Sequence, residues 1–178
     1  MADMTEYSFT AIQITNYDIY IDSSINYEVR DKRHHFDDAK IYDFSSYIKF
    51  HGSCMDSQGI NDRKYEIIAY GSEAQPGDFD LKLSDCHLQD EKGFRQFRKY
   101  RGREVPIYNI PNGIGMLTRL KGSQITFGSA WVSPETITNM LAVLPHVSPI
   151  YLSIHERLIE GQRWIIGLTL QTSDPDEE

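Results

Sequence analysis

Histidine and cysteine occur in two short pairs whose side chains could bind a metal ion. His51 and Cys54 are separated by two residues, and Cys86 is followed directly by His87. Thiolate and imidazole groups are the usual ligands of structural zinc. The first pair, however, has histidine where a zinc knuckle normally has cysteine, and adjacent residues of a strand point to opposite faces. The pattern therefore predicts no cofactor, with zinc held by His51, Cys54 and Cys86 as the alternative.

Another histidine pair, His34 and His35, lies in the polar stretch DKRHHFDDAK, which also supplies carboxylates. Imidazole and carboxylate ligands suit zinc or iron. Adjacent histidines seldom reach the same ion, and a third ligand must come from elsewhere, so an exposed loop is favoured. The alternative is a small metal-dependent or acid–base enzyme that uses His34, His35 or His51.

Familiar catalytic signatures are absent from the sequence. His155 and Glu156 begin a pattern like the metalloprotease H-E-x-x-H, but residue 159 is isoleucine, so the second histidine is missing. The sequence has no nucleophile elbow, no P-loop and no dinucleotide-binding glycine pattern. These absences favour a non-catalytic protein that acts by binding.

The basic segment, which we define as residues 92–103 (KGFRQFRKYRGR), departs most from the average composition of the chain. It holds six of the eighteen lysines and arginines and no acidic residue. Guanidinium groups bind phosphate and carboxylate, and interleaved aromatic rings can stack on bases. The candidate binding residues are Arg95, Arg98, Lys99, Arg101 and Arg103.

The basic segment has two interpretations. It is either a surface for an anionic partner, which could be an acidic protein, a nucleotide or a nucleic acid, or a solvated amphipathic turn. Phe94, Phe97 and Tyr100 recur at every third position. This spacing predicts a short helix near 93–101, with Asp90 as its cap.

The composition of the whole chain limits its class. A net charge of −8 at pH 7 and a pI near 5.2 argue against a general nucleic-acid binder. There is neither a basic leader nor a long apolar run, which predicts a cytoplasmic protein without a membrane span. That compartment favours reduced thiols, with a Cys54–Cys86 bridge as the alternative.

The clearest secondary-structure pattern lies near the C-terminal end. Ser133 and Pro134 are typical of a helix start, and the apolar residues that follow lie on one helical face as far as Leu144. The sequence thus predicts a helix over 134–144. The period then changes to two, which predicts a β-hairpin over 150–171.

Short alternating segments make up most of the remaining chain. They predict strands at 7–14, 17–21, 25–29, 40–51 and 65–70, a polar loop at 52–63, and a hairpin over 114–131. The fold class is mainly β, with α+β as the alternative. We expect an antiparallel β-sandwich or curved sheet of about nine to ten strands. One domain is predicted over 1–173, followed by a disordered acidic tail over 174–178.

The expected function is that of a non-catalytic binding or interaction module, in which the basic segment contacts an anionic partner. The enzyme that uses His34, His35 or His51 is one alternative. A homo-oligomeric structural subunit is another, with the proline-interrupted strand near 105–111 or the final hairpin as its interface.

Overall fold

The computed structural model describes residues 6–25, 42–56, 59–71 and 82–175. These residues fall into two compact units. The larger unit contains the described residues up to 71 and those from 113 onward, and the smaller unit contains residues 82–112. The predictions of one domain over 1–173 and of a disordered tail over 174–178 stay predictions.

The two units hold nine described strands and one described α-helix. The larger unit contains β1 (Glu6–Ile25), β2 (Tyr42–Asp56), β3 (Gly59–Tyr70), β6 (Gly115–Arg119), β7 (Ile125–Trp131), α1 (Pro134–Val143), β8 (Tyr151–Ile159) and β9 (Gln162–Gln171). The smaller unit contains a 3₁₀ turn (Leu83–Cys86), β4 (Phe97–Tyr100) and β5 (Arg103–Pro106). The prediction of a mainly β protein is confirmed.

The seven strands of the larger unit close into a barrel, in the order β1–β2–β3–β7–β6–β9–β8. Neighbouring strands are antiparallel except β3 and β7, which run parallel. Parallel pairing needs a long connection, and the chain between Tyr70 and Ile125 supplies one. Of the predicted alternatives, an antiparallel sandwich or a curved sheet, neither includes closure: the sheet forms a barrel, because β8 returns to pair with β1.

Strand β1 is longer than its sequence pattern predicts. Separate strands were expected at 7–14 and 17–21, but one strand runs from Glu6 to Ile25 and covers both ranges. The strand predicted at 25–29 lies, beyond Ile25, outside the described residues. A bulge between Ile14 and Asn16 accounts for the change in phase. The break expected after residue 21 does not occur, because Ser23 pairs with Phe44 of β2.

Strands β2 and β3 extend through most of the predicted polar loop at 52–63. Met55 pairs with Ile60, so hydrogen bonding between the strands continues where the apolar alternation has stopped. Gly52 lies where β1 approaches closely: a Cβ atom there would be 2.4 Å from the carbonyl oxygen of Gln13. Glycine is thus required for the β1–β2 contact rather than for a loop.

The core lies inside the barrel and continues beneath α1. The largest fully buried apolar side chains are Phe50, Ile12, Ile48, Ile67, Leu152, Ile154 and Ile165. On α1, Ile137 and Met140 are buried in the same cluster. Ser133 caps the helix, because its hydroxyl accepts a hydrogen bond of 3.2 Å from the backbone N–H of Thr136. The predicted helix is confirmed. None of the described helices has the length and apolar character needed to cross a bilayer.

The predicted C-terminal hairpin is formed by β8 and β9, but a bulge interrupts the alternation of β9. Strict alternation would place Trp164, Ile166 and Leu168 on one face. In the structure His155 pairs with Gly167 while Glu156 pairs with Ile165, so Ile166 is an extra residue in β9. This bulge reverses the phase, and Ile165 is fully buried while Ile166 is exposed.

An aromatic row crosses four neighbouring strands on the outside of the barrel. The ring centroids of Tyr20 and Tyr47 are 4.8 Å apart, those of Tyr47 and Tyr70 are 5.7 Å apart, and those of Tyr70 and Trp131 are also 5.7 Å apart. These residues pair directly across β1, β2, β3 and β7. Aromatic cross-strand pairs stabilise a sheet by roughly 0.2–1 kcal/mol each, so stabilisation of the fold accounts for the row.

The smaller unit is organised around the β4–β5 hairpin. The prediction of a helix near 93–101 is wrong, because Phe97 to Tyr100 pair with Arg103 to Pro106 as antiparallel strands. Arg101 and Gly102 have φ angles of 49° and 79°, as a two-residue type I′ turn requires. Asp90 caps no helix; its Oδ1 accepts backbone hydrogen bonds and closes a local turn.

Candidate functional site

The basic segment forms β4 and the turn into β5. Alternate residues of a strand point to opposite sides, so Arg98 and Tyr100 share one face of the hairpin. Their cross-strand partners on that face are Val105 and Arg103. We call Arg98, Tyr100, Arg101 and Arg103 the basic face. Lys99 lies on the other side, where it pairs with Glu104.

Side chains of the basic segment are largely in water. Phe94 is 68% exposed, and Phe97 and Tyr100 are each 54% exposed. The guanidinium of Arg101 lies 5.3 Å from the ring centroid of Tyr100, within the range of a cation–π contact. Within the described residues, Arg95, Arg98, Lys99 and Arg103 form no ion pair. The cations are therefore accessible to a ligand, together with the aromatic rings.

His51 and Cys54 lie on opposite faces of β2. His51 is on the outer face, where its Nε2 is 3.0 Å from Asp18 Oδ2 and its Nδ1 is 4.0 Å from Glu66 Oε1. Cys54 is 2% exposed and faces the barrel interior. Its thiol donates a hydrogen bond of 3.3 Å to the carbonyl oxygen of Met55. The strand therefore does not bring His51 and Cys54 together as ligands of one ion.

The other residues predicted to bind metal occur in separate parts of the chain. Cys86 is half-buried in the smaller unit, and Cys54 and Cys86 are both free thiols. The ring of neighbouring His87 packs at a tilt against Tyr108, with centroids 4.7 Å apart. His34 and His35 lie outside the described residues. Within the described ranges, no three His, Cys, Asp or Glu residues are grouped so that they could hold a metal ion.

A site that the sequence analysis missed lies at one end of the barrel. Two cavities of about 340 and 270 Å³ share Arg63, Tyr65 and Arg163 in their walls. Thr10 and Cys54 line the first cavity, and Arg119 lines the second. We call this region the barrel mouth. Its residues are Thr10, Cys54, Arg63, Tyr65, Arg119, Glu156 and Arg163.

Glu156 is the buried charged group of the barrel mouth. Its side chain is 1% exposed. The Thr10 hydroxyl donates a hydrogen bond of 2.7 Å to Glu156 Oε1, and Arg163 Nη1 donates one of 3.2 Å to Glu156 Oε2. Burial of a carboxylate is costly unless it is paired and hydrogen-bonded. These two bonds supply the pairing, and they also fix the position of the Arg163 guanidinium.

Tyr65 is a buried polar residue beside this carboxylate. Burial raises the pKa of its phenol, and the nearby Cys54 and Glu156 side chains raise it further. Arg63 and a hydrogen bond with Thr10 act in the opposite direction but do not cancel the increase. The barrel mouth therefore keeps Tyr65 as a neutral phenol, which can both donate and accept a hydrogen bond.

One sequence signal could have revealed the barrel mouth. Leu152, Ile154 and Glu156 occupy successive inward positions of β8, so a carboxylate replaces the expected apolar residue. On β9, Arg163 lies two residues before the inward-facing Ile165, so the alternation places it on the same face. Charged residues within an apolar alternation are typical of a buried pair. Their convergence with Arg63 and Arg119 depends on strand order, which the alternation does not encode.

Comparisons with protein-family models, curated proteins and solved structures found no match.

Proposed function

We propose that the protein is a non-catalytic binding module that contacts single-stranded nucleic acid through the basic face of the β4–β5 hairpin. The observation that carries this proposal is the exposure of Arg98, Arg101 and Arg103 around the ring of Tyr100. A hairpin that used these cations only for its own stability would pair them with carboxylates. Among the four residue pairs of the described β4–β5 hairpin, the one of opposite charge, Lys99 with Glu104, is on the opposite face.

Nucleic acid fits this surface better than an acidic protein does, because of the aromatic rings. Stacking of a base on an aromatic side chain contributes roughly 1–3 kcal/mol and tolerates any base. Acidic peptides would use the guanidinium groups and leave the rings in water. The acidic remainder of the chain repels a polyanion, but this repulsion is screened over about 10 Å at moderate salt. Binding is therefore confined to the basic segment.

Fluorescence anisotropy with a labelled oligothymidylate tests the proposal. Replacing Arg98, Arg101 and Arg103 together with glutamate should weaken binding about tenfold or more, because three phosphate contacts become repulsive. The matched control replaces exposed Lys64, Lys82 and Lys121 with glutamate, which changes the net charge equally. The control should bind nearly as well as the wild-type protein, and both variants should keep the wild-type melting temperature.

Three results would contradict the proposal. Equal weakening by both variants would mean that only net charge matters. A loss of melting temperature in the Arg98/Arg101/Arg103 variant would assign these residues a structural role. Tighter binding of a polyglutamate peptide than of the oligothymidylate would identify an acidic protein as the partner.

The remaining functional predictions are not favoured by a specific contact. An enzyme that uses His34, His35 or His51 stays a prediction, as does zinc binding. A homo-oligomer that uses the strand near 105–111 or the final hairpin as its interface also stays a prediction. The proposal includes a cytoplasmic location, which the two free cysteines support.

A further inference from the structure

We propose that the barrel mouth is a binding site for a small molecule that carries a phosphate group, separate from the basic face. Arg63, Arg119 and Arg163 come from β3, β6 and β9, which are far apart in the sequence. Strand pairing brings them to the walls of two cavities that share Arg63 and Arg163. Guanidinium groups match the geometry of phosphate oxygens through paired N–H donors.

The size of the barrel mouth suits a small ligand. The larger cavity has a volume of about 340 Å³, at the lower end of the usual range of ligand pockets, roughly 300–1,000 Å³. The described residues that line the two cavities include three arginines and no carboxylate. An anion that enters therefore meets guanidinium groups and the neutral hydroxyls of Tyr65 and Thr10. This lining favours a phosphate over a cation or an apolar molecule.

Glu156 has the arrangement of a positioning residue. It lies behind the lining, is 1% exposed, and holds one N–H of Arg163 through Oε2. The Arg163 side chain remains 57% exposed, so its other N–H donors are available to a ligand. Burial of a carboxylate is costly, so a buried carboxylate at this position is not explained by stability alone. Here it holds a guanidinium in place before the ligand arrives.

Cys54 and Met55 make one wall of the larger cavity less polar than the wall that carries the arginines. Both residues line the larger cavity, with Phe9 beside them. An organic group attached to the phosphate would contact this wall while the phosphate contacts the guanidinium groups. A phosphate ester with a small ring therefore makes a suitable probe.

Isothermal titration with phenyl phosphate tests the proposal, with phenol and benzoate as comparison ligands. Phenyl phosphate should bind saturably, and phenol should not bind. Replacing Arg119 with glutamine should weaken binding about tenfold, because one charge-assisted contact is lost. The Arg119 side chain is not bonded to Glu156. Its Nε donates a hydrogen bond to the Ser123 carbonyl oxygen, but this bond is exposed, so its loss should leave the variant folded. Lys64→Gln is the matched control, because Lys64 is exposed and lines neither cavity.

A second variant and a second measurement keep the test decisive. Arg163→Lys preserves a positive charge for Glu156 but removes the guanidinium fork, so it should also weaken binding. Amide chemical shifts in a ¹⁵N-labelled sample should change around Tyr65, Arg119 and Arg163 and not along β4 and β5. The proposal is overturned by absence of phenyl phosphate binding, by equal binding of benzoate, by undiminished binding to Arg119→Gln, or by shifts confined to the hairpin.

Discussion

The basic face and the barrel mouth use the same types of side chain, arginine and tyrosine, with different partners. On the basic face, Arg98 and Arg103 flank Tyr100, and all three are exposed without ion pairs in the described structure. In the barrel mouth, Arg163 is bonded to the buried Glu156, and the neighbouring Tyr65 is also buried. Residue type alone therefore does not distinguish a docking surface from a pocket. Burial and bonding partners do.

This difference has consequences for strength and selectivity. Exposed charges interact through water and are screened by salt, so they act mainly by steering an approaching partner and raising the rate of association. The barrel-mouth arginines are exposed too, but Arg163 is held by the buried Glu156, and a guanidinium of fixed geometry can select a ligand by its shape. The first arrangement suits a flexible polymer, and the second suits a small molecule. Three measurements can separate the two regions.

The dependence of binding on salt concentration should distinguish the basic face from the barrel mouth most strongly. If an oligothymidylate contacts the basic face through about three phosphates, log affinity should fall with log salt with a slope of about −2. A fourfold increase in salt would then weaken oligonucleotide binding about 16-fold. Binding of phenyl phosphate to the barrel mouth should weaken less than about fourfold, because it releases no condensed counterions. Titrations at two salt concentrations measure both, and equal slopes would remove the distinction.

Removal of a carboxylate should affect stability only in the barrel mouth. Glu156→Ala deprives Thr10 and Arg163 of their acceptor, and the free energy of unfolding should fall by about 2 kcal/mol. Arg163 is half in water and can rehydrate, which keeps the loss below that of a fully buried pair. Glu104→Ala on the hairpin is the matched control and should change the free energy by less than about 0.5 kcal/mol. Urea denaturation measures both, and similar losses would show that Glu156 is not specially held.

The basic face is easier to find in the sequence than the barrel mouth. The basic segment is evident because its charges are contiguous, but its shape is not. Aromatic residues at every third position fit a helix, and the hairpin depends on the left-handed backbone of Arg101 and Gly102. For Gly102 that conformation is easy, whereas for an arginine it is uncommon. The prediction of a helix missed this alternative.

The barrel mouth is hidden for a different reason. Helix α1 and the β8–β9 hairpin are local structures, so their periodicity is readable in the sequence. Arg63, Arg119 and Arg163 meet only because β3 pairs with β7 and β6 pairs with both β7 and β9. Such contacts depend on strand order and register. A bulge in β9 also shifts the apparent phase of the alternation, so even the inward face of this strand is misassigned from the sequence alone.

Titration of Tyr65 gives the smallest of the three effects. Its pKa is raised from the ordinary value of 10.0, mainly by burial, so the unfolded chain releases this proton before the folded protein does. The associated stability is fully present below about pH 10 and is lost as the pH rises toward the folded pKa. Between about pH 9 and 11 the wild-type protein should therefore lose more stability than Tyr65→Phe, which has no proton to release at this position. Denaturation at several pH values measures the difference, with Tyr100→Phe, at an exposed ring of the basic face, as the control for loss of a phenol hydroxyl. An identical pH dependence in wild type and Tyr65→Phe would mean that the Tyr65 hydroxyl is hydrated in solution, and the barrel mouth would then be as open to water as the basic face.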